Sequence, residues 1–304
     1  MNNAFIFPGQ GSQYVGMGQD LYNNSNFAKD IYHYASKILE FNLQNISFNG
    51  PDSILKDTAY TQPAIFIHSY ILDKMLKDRE LYPNAVAGHS LGEFTALVSA
   101  SVLSFEDALK IVKLRSKLMC NVGKKTPGSM AAIFGADNEQ LKTICDQDGI
   151  VVPANLNAPG QVVISGEKKS VRNAIIKAKE IGIRRAIELN VSGAFHSPLM
   201  KNAKLLLSKL INTITFNDAS IPIYQNVCAT EITNGSEISQ NILSQLENPV
   251  MWSDTILNMK INGIKTFHEI GPGKVLSGLN KRIYPESSTI SYDKMRDLEN
   301  IAVI

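Results

Sequence analysis

Short, almost wholly apolar runs alternate along this chain with longer stretches in which apolar residues recur every three to four positions. The first run, Ala4 to Phe7, stops at Pro8-Gly9-Gln10-Gly11 and reads as a buried strand entering a turn. Two helices are predicted next, at about Phe27–Leu39 and Pro63–Lys77. A second buried strand, Ala85–Ala87, ends at Gly88, and helical texture resumes from Glu93 through Ala100. Strands that are apolar on both faces and alternate with helices predict a parallel sheet covered on both sides. Ser104 opens a further helix, its hydroxyl placed to cap free N–H groups while Asp107 reaches back. Ala108, Ile111, Val112, Leu118 and Met119 recur at helical spacing there and face the core.

The texture changes after the loop Gly123 to Gly128. Strand Met130–Phe134, helix Asn138–Cys145, strands Ile150–Asn155 and Gln161–Ser165, helix Lys168–Ile181 and strand Arg185–Leu189 follow in turn. This β-α-β-β-α-β order predicts a ferredoxin-like unit. Longer α/β texture then returns, with strands near Ile223–Asn226 and Thr266–Ile270; the tail beyond Ile283 carries only a weak pattern. The expected division is a discontinuous large α/β domain, residues 1–126 and 191–304, interrupted by an insert at 127–190.

Composition narrows the function classes. Lys+Arg 30 against Asp+Glu 28 gives a formal net charge of +2, which supplies no electrostatic reason to expect nucleic acid or a membrane surface as partner. No apolar run approaches the roughly 18 residues of a membrane helix. The first residues lack the basic and apolar regions of a signal peptide, and the three cysteines form no C-x-x-C pair. A cytoplasmic protein is expected.

Gly88-His89-Ser90-Leu91-Gly92 matches G-x-S-x-G, with a predicted strand before it and a helix after it. The glycines permit a strand-to-helix turn too tight for side chains, which lifts the serine hydroxyl above the sheet at the positive end of the helix. Chance alone gives roughly 0.1 such matches in a chain of this length. A serine needs a base within hydrogen-bond reach. Among the five histidines, His33 and His68 fall on helices among apolar neighbours, and the turn aims His89 away from the serine. His196 and His268, both near loops after strands, remain as alternatives. Arg115 lies three or four residues from Ile111, Val112, Leu118 and Met119, on the core-facing side of its helix. A guanidinium there keeps its charge and calls for an anion, either a structural salt-bridge partner or a bound carboxylate, unless its long side chain reaches solvent.

These segments, taken together, resemble the malonyl-CoA:acyl carrier protein transacylases of bacterial fatty acid synthesis and, more loosely, the acyltransferase domains of polyketide synthases. The matching residues are Phe7–Gln13 (FPGQGSQ), Gly88–Glu93 (GHSLGE), Arg115 with Met119, and Gly128-Ser129-Met130-Ala131-Ala132. They continue with Pro159–Gly166 (PGQVVISG), Ala194-Phe195-His196-Ser197, Asn248–Trp252 (NPVMW) and Glu269–Gly273 (EIGPG). The resemblance implies an α/β-hydrolase-like large domain carrying a ferredoxin-like insert. It implies Ser90 as nucleophile and His196 as base, leaving His268 a supporting role. Backbone N–H groups of Gln10 and Leu91 would form the oxyanion hole. The backbone carbonyl of Gln245 would orient His196, so that the Gln245 side chain is expected to be replaceable.

Arg115 would clamp the free carboxylate of malonate, with Met119, Asn155 and Phe195 beside the substrate. Leu91 and Phe195 resemble malonyl-selective members; methylmalonyl-selective relatives tend to carry Gln and Ser at these positions. Where the family's longer motif begins with histidine, Gly193 stands here. The implied substrates are malonyl-CoA and phosphopantetheinylated acyl carrier protein, with no other cofactor and no metal, in a monomer. Lys124-Lys125, Lys168-Lys169, Arg184-Arg185 and Lys281-Arg282 are candidates for docking an acidic carrier.

Overall fold

The computed structural model describes residues 2–125, 127–191, 193–299 and 301; the side chains of Lys124 and Lys125, named above as a candidate dock, lie outside the described residues. Among the described residues ten strands form two sheets. The larger contains β1 (Asn3–Phe7), β2 (Ala85–Gly88), β7 (Ile223–Tyr224), β8 (Glu231–Ile232), β9 (Thr266–Ile270) and β10 (Ser288–Tyr292), in the order β10-β9-β1-β2-β7-β8. Neighbours are parallel except β7 and β8. β1 lies at its centre with Ala4 to Phe7 fully buried, which explains the unbroken apolar run.

The second sheet takes β3 (Gly128–Phe134), β4 (Val151–Ala158), β5 (Gln161–Glu167) and β6 (Arg185–Glu188) in the antiparallel order β4-β5-β3-β6. Helices Asn138–Cys145 and Lys168–Glu180 pack one face of it through Ile144, Val171 and Ala174. Every strand of this sheet comes from residues 128–188. The chain enters and leaves it side by side: a Cβ on Gly128 would stand 2.6 Å from that of Ala194. A second tie runs from β4 to the large domain, where the Leu156 and Val250 amides donate to Val250 and Ala154 carbonyls, each at 2.9 Å.

The structure departs from the sequence expectation in several places. The helix expected from Pro63 begins at Thr58, because the Asp57 carboxylate caps the Ala59 amide at 2.9 Å. Pro63 therefore sits inside the helix, and the Ala59 carbonyl that it cannot satisfy accepts a hydrogen bond from the Ser116 hydroxyl. In the helix Phe105–Lys125, the Ser104 hydroxyl does accept from the Asp107 amide, at 3.0 Å, but the Asp107 carboxylate meets that hydroxyl rather than the Ser104 amide. The tail forms β10, paired in parallel to β9, and a short helix Met295–Glu299. Among the described residues no helix is long and apolar enough to cross a membrane.

Candidate active site

β1 and β2 both end, at their carboxyl edges, on a cavity of about 200 Å³ lined by Gln10, Ser90, Leu91, Arg115, Asn155 and His196, among others. The G-x-S-x-G glycines are there for lack of space. A Cβ on Gly88 would fall 1.9 Å from the Gly92 carbonyl carbon, and one on Gly92 would fall 2.0 Å from the Phe7 carbonyl oxygen. The turn between them holds Ser90 at φ 50, the left-handed region that costs a non-glycine residue roughly 1–3 kcal/mol. Asn226, just beyond β7, holds the turn: its Oδ1 accepts from the Ser90 amide at 2.7 Å and its Nδ2 donates to the Gly88 carbonyl at 2.6 Å.

The Ser90 hydroxyl lies 2.8 Å from His196 Nε2, and His196 Nδ1 lies 2.8 Å from the Gln245 carbonyl oxygen. A carbonyl only accepts, so Nδ1 carries the proton and Nε2 is bare toward the serine. Burial, assisted by the positive charge of Arg115, lowers the His196 pKa to about 3. The imidazole therefore rests neutral. His196 also occupies the left-handed region, at φ 56. His268 is elsewhere: it lies on β9, edge-on to Phe5, with Nδ1 3.2 Å from the Tyr292 hydroxyl. Its neighbour Glu269 caps the helix Val275–Ile283 by accepting from the Leu276 and Ser277 amides, both at 2.8 Å, and that helix forms one wall of the cavity.

Arg115 is 1% exposed. Nη1 donates to Gln62 Oε1 at 2.7 Å; Nη2 donates to Gln245 Oε1 at 2.9 Å and to the Ser90 hydroxyl at 3.2 Å. Nε has no partner. Desolvation brings its pKa down to about 10, opposed by Glu93, which leaves it a cation at neutrality. Among the described residues no carboxylate forms an ion pair with it. A buried cation with an idle N–H, against a serine hydroxyl, is poised for an anionic ligand.

Met119 is buried on the same helix, its Sδ 3.4 Å from Gln62 Nε2. Phe195 and Asn155 line the cavity from the His196 loop and from β4. The Gln10 and Leu91 amides have no protein acceptor among the described residues, and the Gln10 side chain turns away to Thr58. Gln10, Ser90, Leu91, Arg115, Met119, Asn155, Phe195 and His196 thus line one cavity, with the Gln245 carbonyl behind His196.

It also adds residues that sequence reasoning passed over. Gln62 and Asn226 hold Arg115 and the elbow, and Asn157 Oδ1 lies 2.8 Å from His89 Nε2. Gln62 left a signal: a polar residue among apolar ones on a buried helix. The expectation that the Gln245 side chain is replaceable meets a different arrangement. That side chain is fully buried, and its Nε2 donates to the Ser90 carbonyl at 3.0 Å and to Glu93 Oε2 at 2.9 Å.

An acyl transferase domain model matches residues 4–295. A malonyl CoA-acyl carrier protein transacylase of Staphylococcus aureus is 43% identical over 300 residues, covering 97% of each chain. The crystal structure of an acyl carrier protein S-malonyltransferase from Vibrio cholerae superposes with a TM-score of 0.94 at 38% identity, over 99% of this chain and 100% of that one. A malonyl-transacylase in complex with a type II PKS acyl-carrier protein superposes at 0.95 with 37% identity, over 99% of each chain.

Proposed function

Because the chain belongs to the acyl transferase domain family, we propose that it moves a malonyl group from malonyl-CoA to the phosphopantetheine thiol of acyl carrier protein, through an ester on Ser90. The observation that carries this reading is the position of Arg115, a buried cation 3.2 Å from the Ser90 hydroxyl and without an ion-pair partner among the described residues.

In the first half-reaction the malonyl carboxylate pairs with Arg115, which places the thioester carbon beside Ser90. His196 Nε2 takes the hydroxyl proton as the serine oxygen forms its bond to that carbon. The Gln10 and Leu91 amides receive the developing oxyanion; losing one such donor typically costs about 10²–10³ in rate. The carbon–sulfur bond then breaks, and the proton on His196 passes to the departing coenzyme A thiolate. In the second half-reaction His196 deprotonates the pantetheine thiol, the sulfur attacks the ester, and Ser90 recovers its proton. The order is ping-pong, and the two substrates supply every reacting group other than those of the chain itself. Orientation of His196 by a carbonyl rather than a carboxylate leaves a moderate base, which protects the ester from water. All these residues come from one chain, so a monomer suffices. Fatty acid synthesis in the cytoplasm is the process such a product would feed.

The test is product partition: with malonyl-CoA and holo acyl carrier protein, malonyl carrier should form in step with coenzyme A release. Accumulation of free malonate instead would make the protein a hydrolase.

A further inference from the structure

Glu93 closes the Gly88–Glu93 motif, yet none of the steps above uses it. It lies in the first turn of the helix Gly92–Ser99, 1% exposed, behind the nucleophile and away from the cavity lining. Among the described residues three groups donate to its carboxyl: Gln245 Nε2 at 2.9 Å and the Asn226 main-chain amide at 3.1 Å to Oε2, and Gln225 Nε2 at 2.9 Å to Oε1. Among the described residues the carboxyl accepts these three hydrogen bonds and donates none, which favours the carboxylate over the acid. Gln245 thereby loses its freedom to flip. Its Nε2 faces three acceptors, Glu93 Oε2, the Ser90 carbonyl and Asn226 Oδ1 (the last at 3.4 Å), so Oε1 must point the other way. There it meets Arg115 Nη2 at 2.9 Å.

We propose that Glu93 is a specificity-determining positioning residue, which locks the Gln245 carboxamide so that its oxygen holds the Arg115 guanidinium against the acyl pocket. The inference rests on the reading of Arg115 as the malonyl clamp. Its logic is one of spacing. A carboxylate in direct contact with Arg115 would neutralise the guanidinium and compete with the malonyl carboxylate. With one carboxamide between them, Glu93 fixes the side chain while the charge stays available to substrate. Three of the five N–H bonds of Arg115 are engaged, by Gln62, Gln245 and Ser90, and the idle Nε–H is among the rest. Burial pushes the Glu93 carboxyl up to about 7, with Gln245, Asn226, Gln225 and Arg115 all opposing, so the lock depends on those donors.

Glu93→Gln places an amide N–H₂ among donors and forces a rearrangement. Gln245→Met keeps the main-chain carbonyl that orients His196 but removes Oε1. Arg115→Ala removes the clamp. The rate of Ser90 acylation by malonyl-CoA and by acetyl-CoA is measured for each, by quenched mass spectrometry of the intact protein. Both substitutions at the lock should lower the malonyl-to-acetyl rate ratio by about tenfold or more, the worth of one hydrogen bond to a charged group. Added to Arg115→Ala, Glu93→Gln should change the ratio by less than about twofold.

Equal losses with both thioesters would reduce Glu93 to support of the elbow and overturn the proposal, as would an unchanged ratio or an additive double variant. Should Glu93→Gln fail to fold, Gln245→Met alone decides by the same ratio. If Arg115→Ala itself keeps the malonyl preference, the clamp reading fails; if Arg115→Ala loses it and the lock variants do not, only this inference fails.

Discussion

At Ser90 a single hydroxyl is shared by a cation and a neutral base, Arg115 Nη2 at 3.2 Å and His196 Nε2 at 2.8 Å. Burial first, and the Arg115 charge second, keep the imidazole unprotonated in the resting protein, so its Nε2 is free to accept a proton at neutrality. A substrate carboxylate that neutralises the guanidinium relieves that pressure. Removing an acceptor of the guanidinium should therefore show in substrate binding. Gln62→Leu is expected to raise KM for malonyl-CoA about tenfold, with a smaller change in kcat. An unchanged KM in steady-state assays would mean that Gln62 does not position Arg115.

Ser90 and Arg115 were legible in the sequence for opposite reasons. One sits in a pattern that demands glycines; the other is a charge where the helical period demands an apolar residue. His196 and His268 were not separable by pattern, because both follow strands, and only the fold shows which reaches the serine. Asn226, Glu93 and the Gln245 side chain were illegible in role, since their partners are backbone groups and amides brought together across more than 100 residues of chain.

Among the elements, the elbow decides the geometry. The helix after Ser90 packs so closely on the end of β1 that Gly92 has the Phe7 carbonyl where a side chain would begin. Gly92→Ala should cost roughly 2–4 kcal/mol of stability, with lost acylation, because backbone must move to admit the methyl. Gly278, exposed on the helix Val275–Ile283 with nothing within 4 Å of a built Cβ, is the control. There Ala should stabilise by about 0.5–1 kcal/mol. Denaturant midpoints of the two variants check this; equal effects would contradict the packing argument. Up to residue 190 most elements were predicted within a few residues, since long amphipathic helices and buried strands carry strong periodic signals; beyond it the helices Lys201–Ile211, Gly235–Ser244, Trp252–Ile261 and Val275–Ile283 were not assigned. The start at Thr58 was missed because Pro63 reads as an N-terminal residue, and β10 was missed because an edge strand, with Ser288 exposed and alternate residues half-buried, lacks an apolar run.

For the whole molecule, the site around Ser90 draws on both sides of the fold. Ser90 and Arg115 come from the large α/β part, Asn155 from the insert, and His196 from the chain just past it. β-α-β-β-α-β order made the insert legible, but not the β4–Val250 pairing that seats it beside Gln245.

Buried histidines also set the response to acid. His196 and His268 have folded pKa values of about 3 and about 4, below the ordinary 6.5. As pH falls through 6.5 the unfolded chain takes up protons that the folded one refuses, so stability is lost from there down to about 4 and 3. Glu93, raised from 4.5 to about 7, acts oppositely between those values. Thermal unfolding midpoints should fall on going from pH 7 to pH 5 by less in His268→Gln than in the parent; parallel curves would remove His268 from the explanation.

In the proposed function Ser90 carries a malonyl ester selected by Arg115. The most direct measurement is the intact mass of the protein after exposure to malonyl-CoA or acetyl-CoA, beside Ser90→Ala and Arg115→Ala. One malonyl adduct should form on the parent and vanish in Ser90→Ala, while Arg115→Ala loses the preference for malonyl over acetyl. An adduct that persists in Ser90→Ala, or a preference that survives without Arg115, would contradict the account.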